Sequence, residues 1–141
     1  MRKIILAIIV IFFASSMAYS QTKIPAKVKA AFEEKFPTAT SVVWDKEGKN
    51  EYEASFEMNG LKYTASFNKK GVWLETETSM TFSQLPEIIQ QAFRTNYSNY
   101  EATGAAKIED SQSEIKYEIE YIKNGKSKEV MFKDDGTEIK K

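Results

Sequence analysis

Residues 51–68 read EYEASFEMNGLKYTASFN, and their period of two decides the fold. On one side lie Tyr52, Ala54, Phe56 and Met58, then Leu61, Tyr63, Ala65 and Phe67. The other side carries Glu51, Glu53, Ser55 and Glu57, then Lys62, Thr64, Ser66 and Asn68. Such alternation describes strands with one buried face. Asn59-Gly60 between them is a strong two-residue hairpin signal, because both positions must tolerate positive φ. A two-residue loop sets Met58 opposite Leu61, Phe56 opposite Tyr63, Ala54 opposite Ala65 and Tyr52 opposite Phe67. A one-residue slip would undo every apolar pairing.

Working outward, the pattern recurs. Tyr117, Ile119, Tyr121, Asn124 and Gly125 follow Tyr52, Ala54, Phe56, Asn59 and Gly60 at an offset of 65. Phe132 and Gly136 follow Phe67 and Gly71 at the same offset. Upstream, Leu85-Pro86, Ile89, Ala92, Phe93 and Tyr97 follow Ile24-Pro25, Val28, Ala31, Phe32 and Phe36 at an offset of 61. The second hairpin is less regular: Lys128 falls opposite Tyr121, and Glu120 faces Glu129. Apolar residues at helical spacing predict one amphipathic helix before each hairpin. Proline suits the first turn of each, Pro37 stops the first, and Thr81 or Ser83 is a candidate cap for the second. Further strands are expected around 41–45 and 106–109, and at 72–78 and 137–140. The expected fold class is α+β, a tandem repeat of a helix plus a four-stranded antiparallel sheet, with helices on one sheet face and the two sheets joined edge to edge. The repeats would span 22–79 and 81–141 within one domain, 21–141.

Residues 1–20 read as a signal peptide. Arg2 and Lys3 precede an apolar run from Ile4 to Ala14, and Ala18-Tyr19-Ser20 supplies small residues before Gln21. The run is well short of the roughly 20 residues that span a bilayer, so no integral anchor is expected after cleavage. Periplasmic or secreted localisation follows. Without Arg2 and Lys3 the remainder carries 18 basic and 20 acidic residues, a balance that argues against nucleic acid and anionic lipid as partners. The chain has neither Cys nor His. Disulfides, thiol nucleophiles, His-based triads and the commonest transition-metal ligands are thereby excluded.

Ile24-Pro25 and Leu85-Pro86 opening helices, Phe36-Pro37, Trp44 on the next strand, and Phe67…Gly71-Val72-Trp73 together resemble the PepSY-like, β-lactamase-inhibitor-like family of exported bacterial proteins. The resemblance covers nearly the whole chain after the leader. It implies two helix-plus-four-strand repeats, as in the secreted proteinaceous β-lactamase inhibitors, which bind enzymes across an open sheet face. This chain departs from those inhibitors in having no cysteine.

Chemistry has few candidates. Glu51, Glu53, Glu57, Glu75, Glu77, Glu118 and Glu120 could supply a carboxylate pair to a glycosidase, but their alternation reads as a solvated sheet face. Asp134, Asp135 and Glu138 could bind a hard cation, although Asp-Asp-Gly is ordinarily a turn. No cofactor or metal is called for, and no enzyme. If Val43 and Val72/Leu74 face the core, Trp44 and Trp73 lie on the outer face among Glu53, Lys62 and Glu75, as anchors for a protein or peptide partner. The alternative is that the indoles pack at the sheet edge or between repeats. The expected function is a non-enzymatic, exported binding module of the bacterial envelope. Its alternative is a structural or envelope-stress protein without a dedicated ligand site.

Overall fold

The computed structural model describes residues 23–140, so the expected leader lies outside the described residues. The chain runs α1 (Ala26–Lys35), β1 (Thr40–Glu47), β2 (Glu51–Met58), β3 (Leu61–Asn68) and β4 (Trp73–Met80). A single 3-10 turn (Phe82–Gln84) leads into α2 (Glu87–Asn96), β5 (Ala102–Asp110), β6 (Ile115–Lys123), β7 (Lys126–Lys133) and β8 (Glu138–Ile139). The eight strands form one antiparallel sheet in sequence order. β4 pairs with β5, so the two four-stranded groups do join at their edges.

Both helices start without a side-chain cap. Pro25 and Pro86 precede the first helical residue, and their carbonyls accept the first turn's N–H groups, from Val28 (3.0 Å) and Ile89 (3.0 Å). Proline lacks only a donor that a helix start could not use. Thr81 caps the 3-10 turn rather than α2: its amide donates to Gln84 Oε1 at 2.8 Å, within a capping box. The sequence-based assignment of that cap was therefore one element too late.

Each helix buries its apolar stripe on the same side of the sheet. Val28, Phe32 and Phe36 pack on Tyr52, Ala54, Phe56, Ala65 and Phe67. Ile89 and Phe93 pack on Ala105, Tyr117, Ile119, Tyr121, Val130 and Phe132. The registers of β2–β3 and β6–β7 are those the Asn-Gly turns dictate, including Tyr121 opposite Lys128 and Glu120 opposite Glu129.

Gly71 before β4 and Gly136 before β8 let the sheet approach α1 and α2. Gly71 has φ +83°, and a Cβ there would stand 2.6 Å from the Lys27 carbonyl oxygen. Gly125 also has positive φ, +72°, but faces open space. Gly71→Ala therefore incurs both the left-handed penalty of about 1–2 kcal/mol and a backbone clash, whereas Gly125→Ala incurs the first alone. In paired urea titrations Gly71→Ala should lose the larger share of stability; equal losses would show that α1 can retreat freely.

Candidate functional site

Trp44 and Trp73 lie beneath the helices, not on the outer face. Trp44 pairs with Ala54, a core position, and its ring meets Phe32 edge-on at 5.2 Å. Val43 is the residue that turns outward, 42% exposed and opposite Ser55. In Val42-Val43-Trp44 alternation permits either phase. The larger indole takes the buried one because it gains contact with Phe32 and Phe67.

Trp73 has a second cause. The β3–β4 register shifts between Ser66 and Phe67, so Ser66 faces Glu75 while Phe67 faces Trp73, with Leu74 extra. A bulge of this kind reverses side-chain phase. Trp73 thereby joins the core side, its ring under Lys35 Nζ at 3.7 Å and its Nε1 donating to Thr76 Oγ1 at 2.9 Å. Val72, at the strand entrance, is 53% exposed. Trp44→Ala should therefore lower unfolding free energy by about 2–3 kcal/mol, measured in urea, whereas a surface anchor would leave it unchanged.

Glu53, Lys62 and Glu75 do stand on the helix-free face. Lys62 is exposed opposite Glu57 near the hairpin end. Glu53 and Glu75 flank Ser66 from β2 and β4. The ladder extends both ways into one lateral row: Asp45, Glu53, Ser66, Glu75, Asp110. The adjacent row runs Val43, Ser55, Thr64, Glu77, Ile108, Lys116. Beyond it come Ala106 opposite Glu118, then Gly104, Glu120 and Glu129.

This face is not the solvated carboxylate surface that alternation suggested. Glu77 (7% exposed), Glu118 (1%) and Glu120 (7%) are buried, as are Ala106 and Ile108 between them. Among the described residues both helices pack on the opposite side of the sheet. The sequence reading missed Ala106 and Ile108 as a floor. The available signal was parity on β5, where Ala105 faces Ile119 in the core and Ala106 must face away. Glu120 folds back over Gly104, where an added Cβ would lie 2.9 Å from Oε2.

Burial raises the Glu77 carboxyl to about 7, reinforced by Glu53, Glu75, Glu129 and Glu120. Burial likewise raises Glu53 to about 7, reinforced by Glu47, Asp45 and Glu75. Glu75 is raised by burial, in part offset by Lys116. Glu120 is raised by burial and then by Glu129. Lys116 is engaged elsewhere, with Asp110 at 3.1 Å and Glu114 at 3.5 Å. Hydrogen bonds from the Glu114 amide and from Lys116 outweigh desolvation at Asp110 and hold its carboxyl below the usual range.

Among the described residues no three acidic side chains converge to hold a metal ion. Asp135 is occupied in its turn, accepting from the Thr137 amide at 2.8 Å. Glu138 accepts from the Tyr97 hydroxyl at 3.1 Å, so these acids make local structure. A cleft of about 340 Å³ beside α1 and β1 is lined by one carboxylate, Glu33, with Lys29, Phe32 and Trp44 among its other walls. It offers no carboxylate pair for hydrolysis.

No protein of curated function matches the chain. The fold is that of several solved structures from Bacteroides species. A DUF2874 family protein from Bacteroides ovatus is 23% identical, with TM-score 0.75 over 84% of this chain and 86% of that one. A protein from Bacteroides eggerthii described as "putative periplasmic" is 21% identical, with TM-score 0.77 over 84% and 88%. A BLIP-like protein from Bacteroides fragilis is 22% identical, with TM-score 0.71 over 85% and 86%. Among the described residues no helix is long and apolar enough to cross a membrane. The family described as "Putative beta-lactamase-inhibitor-like, PepSY-like" matches residues 14–61 and 50–140, and the chain belongs to that family.

Proposed function

We propose that the chain is a non-enzymatic, exported binding module of the bacterial envelope that recognises a protein or peptide through the helix-free sheet face. In this reading residues 1–20 are a removed leader, and 22–79 and 81–141 are two copies of one helix-plus-four-strand unit. The duplication explains why both helices cover the same side and leave the other side of all eight strands open. The observation that carries the reading is the composition of that open side. It holds buried carboxylates around a small apolar floor, an arrangement that costs stability and builds no core. Family membership supports it, because β-lactamase-inhibitor-like proteins take their description from binding. Trp44 and Trp73 have no part in the contact surface; Glu53, Lys62 and Glu75 remain in it.

Photo-crosslinking tests the face. A benzophenone amino acid replaces Lys62 or Ser127 on the open side, or Lys29 or Gln91 on the helices. In envelope extract the first pair should yield a discrete adduct and the second pair none. Adducts of equal yield from both sides would discard the sheet face as the binding surface.

A further inference from the structure

The row Asp45, Glu53, Ser66, Glu75, Asp110 places two like-charged cross-strand pairs on one line. Like charges directly opposite one another destabilise a sheet. Asp110 at one end has its counter-ion, Lys116. Among the described residues no salt bridge reaches the middle of the row, where Lys116 acts on Glu75 only through its field. Between Glu53 and Glu75 stands Ser66, and in the next row Thr64 stands between Ser55 and Glu77. Strands lie about 4.8 Å apart, so Glu53 and Glu75 flank a lane roughly two strand spacings wide, floored by two short side chains. Glu77 is 7% exposed at the edge of that lane, and among the described residues no hydrogen bond or ion pair reaches its carboxylate, whose oxygens keep contact with solvent. A buried carboxylate without a donor costs stability in the isolated protein.

We propose that an arginine side chain of a partner protein seats over Ser66 and Thr64, between Glu53 of β2 and Glu75 and Glu77 of β4. The inference rests on the open-face reading above and names the partner's contact chemistry. A guanidinium suits the lane better than a metal ion, since it is planar and its five N–H groups can serve carboxylates that do not converge. Seating is linked to protons. The groups facing Glu77 are Glu75 on its own strand, Glu53 on β2, Glu120 on β6 and Glu129 on β7, with buried Glu118 of β6 beside Ala106 on the same face. β3 presents Thr64 and Ser66, β5 presents Ile108 and Asp110, and Lys116 stands beyond on β6, tied to Asp110. Below neutral pH Glu53 and Glu77 hold protons that an entering cation must expel. Binding therefore strengthens as pH rises and releases protons to the medium.

The probe is a hexa-arginine peptide, with its citrulline counterpart as the uncharged isostere. Calorimetry at pH 6 and pH 8, in buffers of different ionisation enthalpy, reads affinity and proton release; amide shifts read location. The arginine peptide should bind about tenfold tighter at pH 8 than at pH 6 and release protons near pH 7. Its shifts should centre on β2–β4, and the citrulline peptide should not bind. Glu53→Gln with Glu77→Gln should cost about tenfold in affinity at pH 8 and remove most of the pH dependence. Glu33→Gln with Glu34→Gln on exposed α1 should change neither. Ser66→Arg, which fills the lane from within, should also abolish peptide binding while leaving the circular dichroism spectrum intact. Equal losses from the α1 pair, or a pH dependence that survives in the double variant, overturn the lane. Citrulline binding to the open face as tight as arginine overturns the cation and leaves the open-face reading standing. Shifts confined to the helices or edges with both peptides overturn both.

Discussion

Phe67→Ala is expected to cost about 3–5 kcal/mol in unfolding free energy, the largest loss for one side chain in the first core. Phe67 is fully buried, within ring contact of Phe32 (6.2 Å) and Trp44 (6.3 Å), and it pairs with both Tyr52 and Trp73. Removing its ring leaves a void that four rigid aromatic neighbours cannot collapse into. With no cysteine in the chain, no covalent link limits the damage. Domains of this size are stable by about 5–15 kcal/mol, so the variant stands near the edge of folding. Urea titration followed by tryptophan fluorescence measures it directly, since Trp44 and Trp73 lie in the same cluster. Phe132→Ala, the corresponding fully buried position beneath α2, should lose a similar amount with a smaller fluorescence change, because no indole packs in that cluster. A cost below about 1 kcal/mol for either would show that the core repacks.

The second large effect is an inverted pH profile. A carboxyl whose folded value lies above its unfolded value holds its proton more tightly in the native state. Its penalty is absent below the unfolded value, 4.5, grows as pH rises, and is complete above the folded value, about 7 for Glu77. At 1.36 kcal/mol per pKa unit, Glu77 alone contributes a penalty of about 3 kcal/mol at pH 8. Glu53 shares the same field and is partly exposed, so its addition is smaller. Stability should therefore fall by about 3 kcal/mol between pH 5 and pH 8, the reverse of a protein held together by ionised carboxylates. Asp110 works in the ordinary direction, but its window lies below its usual value of 3.8 and does not interfere. Glu77→Gln should raise stability at pH 8 by most of that amount and change it little at pH 5. Flat profiles for both proteins would mean that water reaches the Glu77 carboxylate as freely as in the unfolded chain.

The open face thus trades stability for an unfilled electrostatic surface. Carboxylates outnumber the lysines of that face, and Lys116 among those lysines is tied to Asp110 and Glu114. The buried positions under the helices carry the folding energy, and the opposite side of the same strands is left free to carry charge.

Local chemistry settled most of the architecture in advance. Asn59-Gly60 and Asn124-Gly125 have positive φ at both residues, and a two-residue turn leaves one register for each hairpin. Helical spacing of Val28, Phe32, Ile89 and Phe93 named the stripes that are buried. Both are short-range effects, complete within a turn or a helix. The phase of β1 and the bulge in β4 are different in kind. Val42-Val43-Trp44 satisfies either phase by its own sequence, and Leu74 has no local signal marking it as an extra residue. Contacts with Phe32, Phe67 and Lys35, distant along the chain, decided where the indoles went. Burial of Glu77, Glu118 and Glu120 was equally hidden. It arises only when β4 meets β5 and four strands from different parts of the chain crowd their side chains onto one face, taking out of water carboxyl groups that sequence alternation alone would leave there.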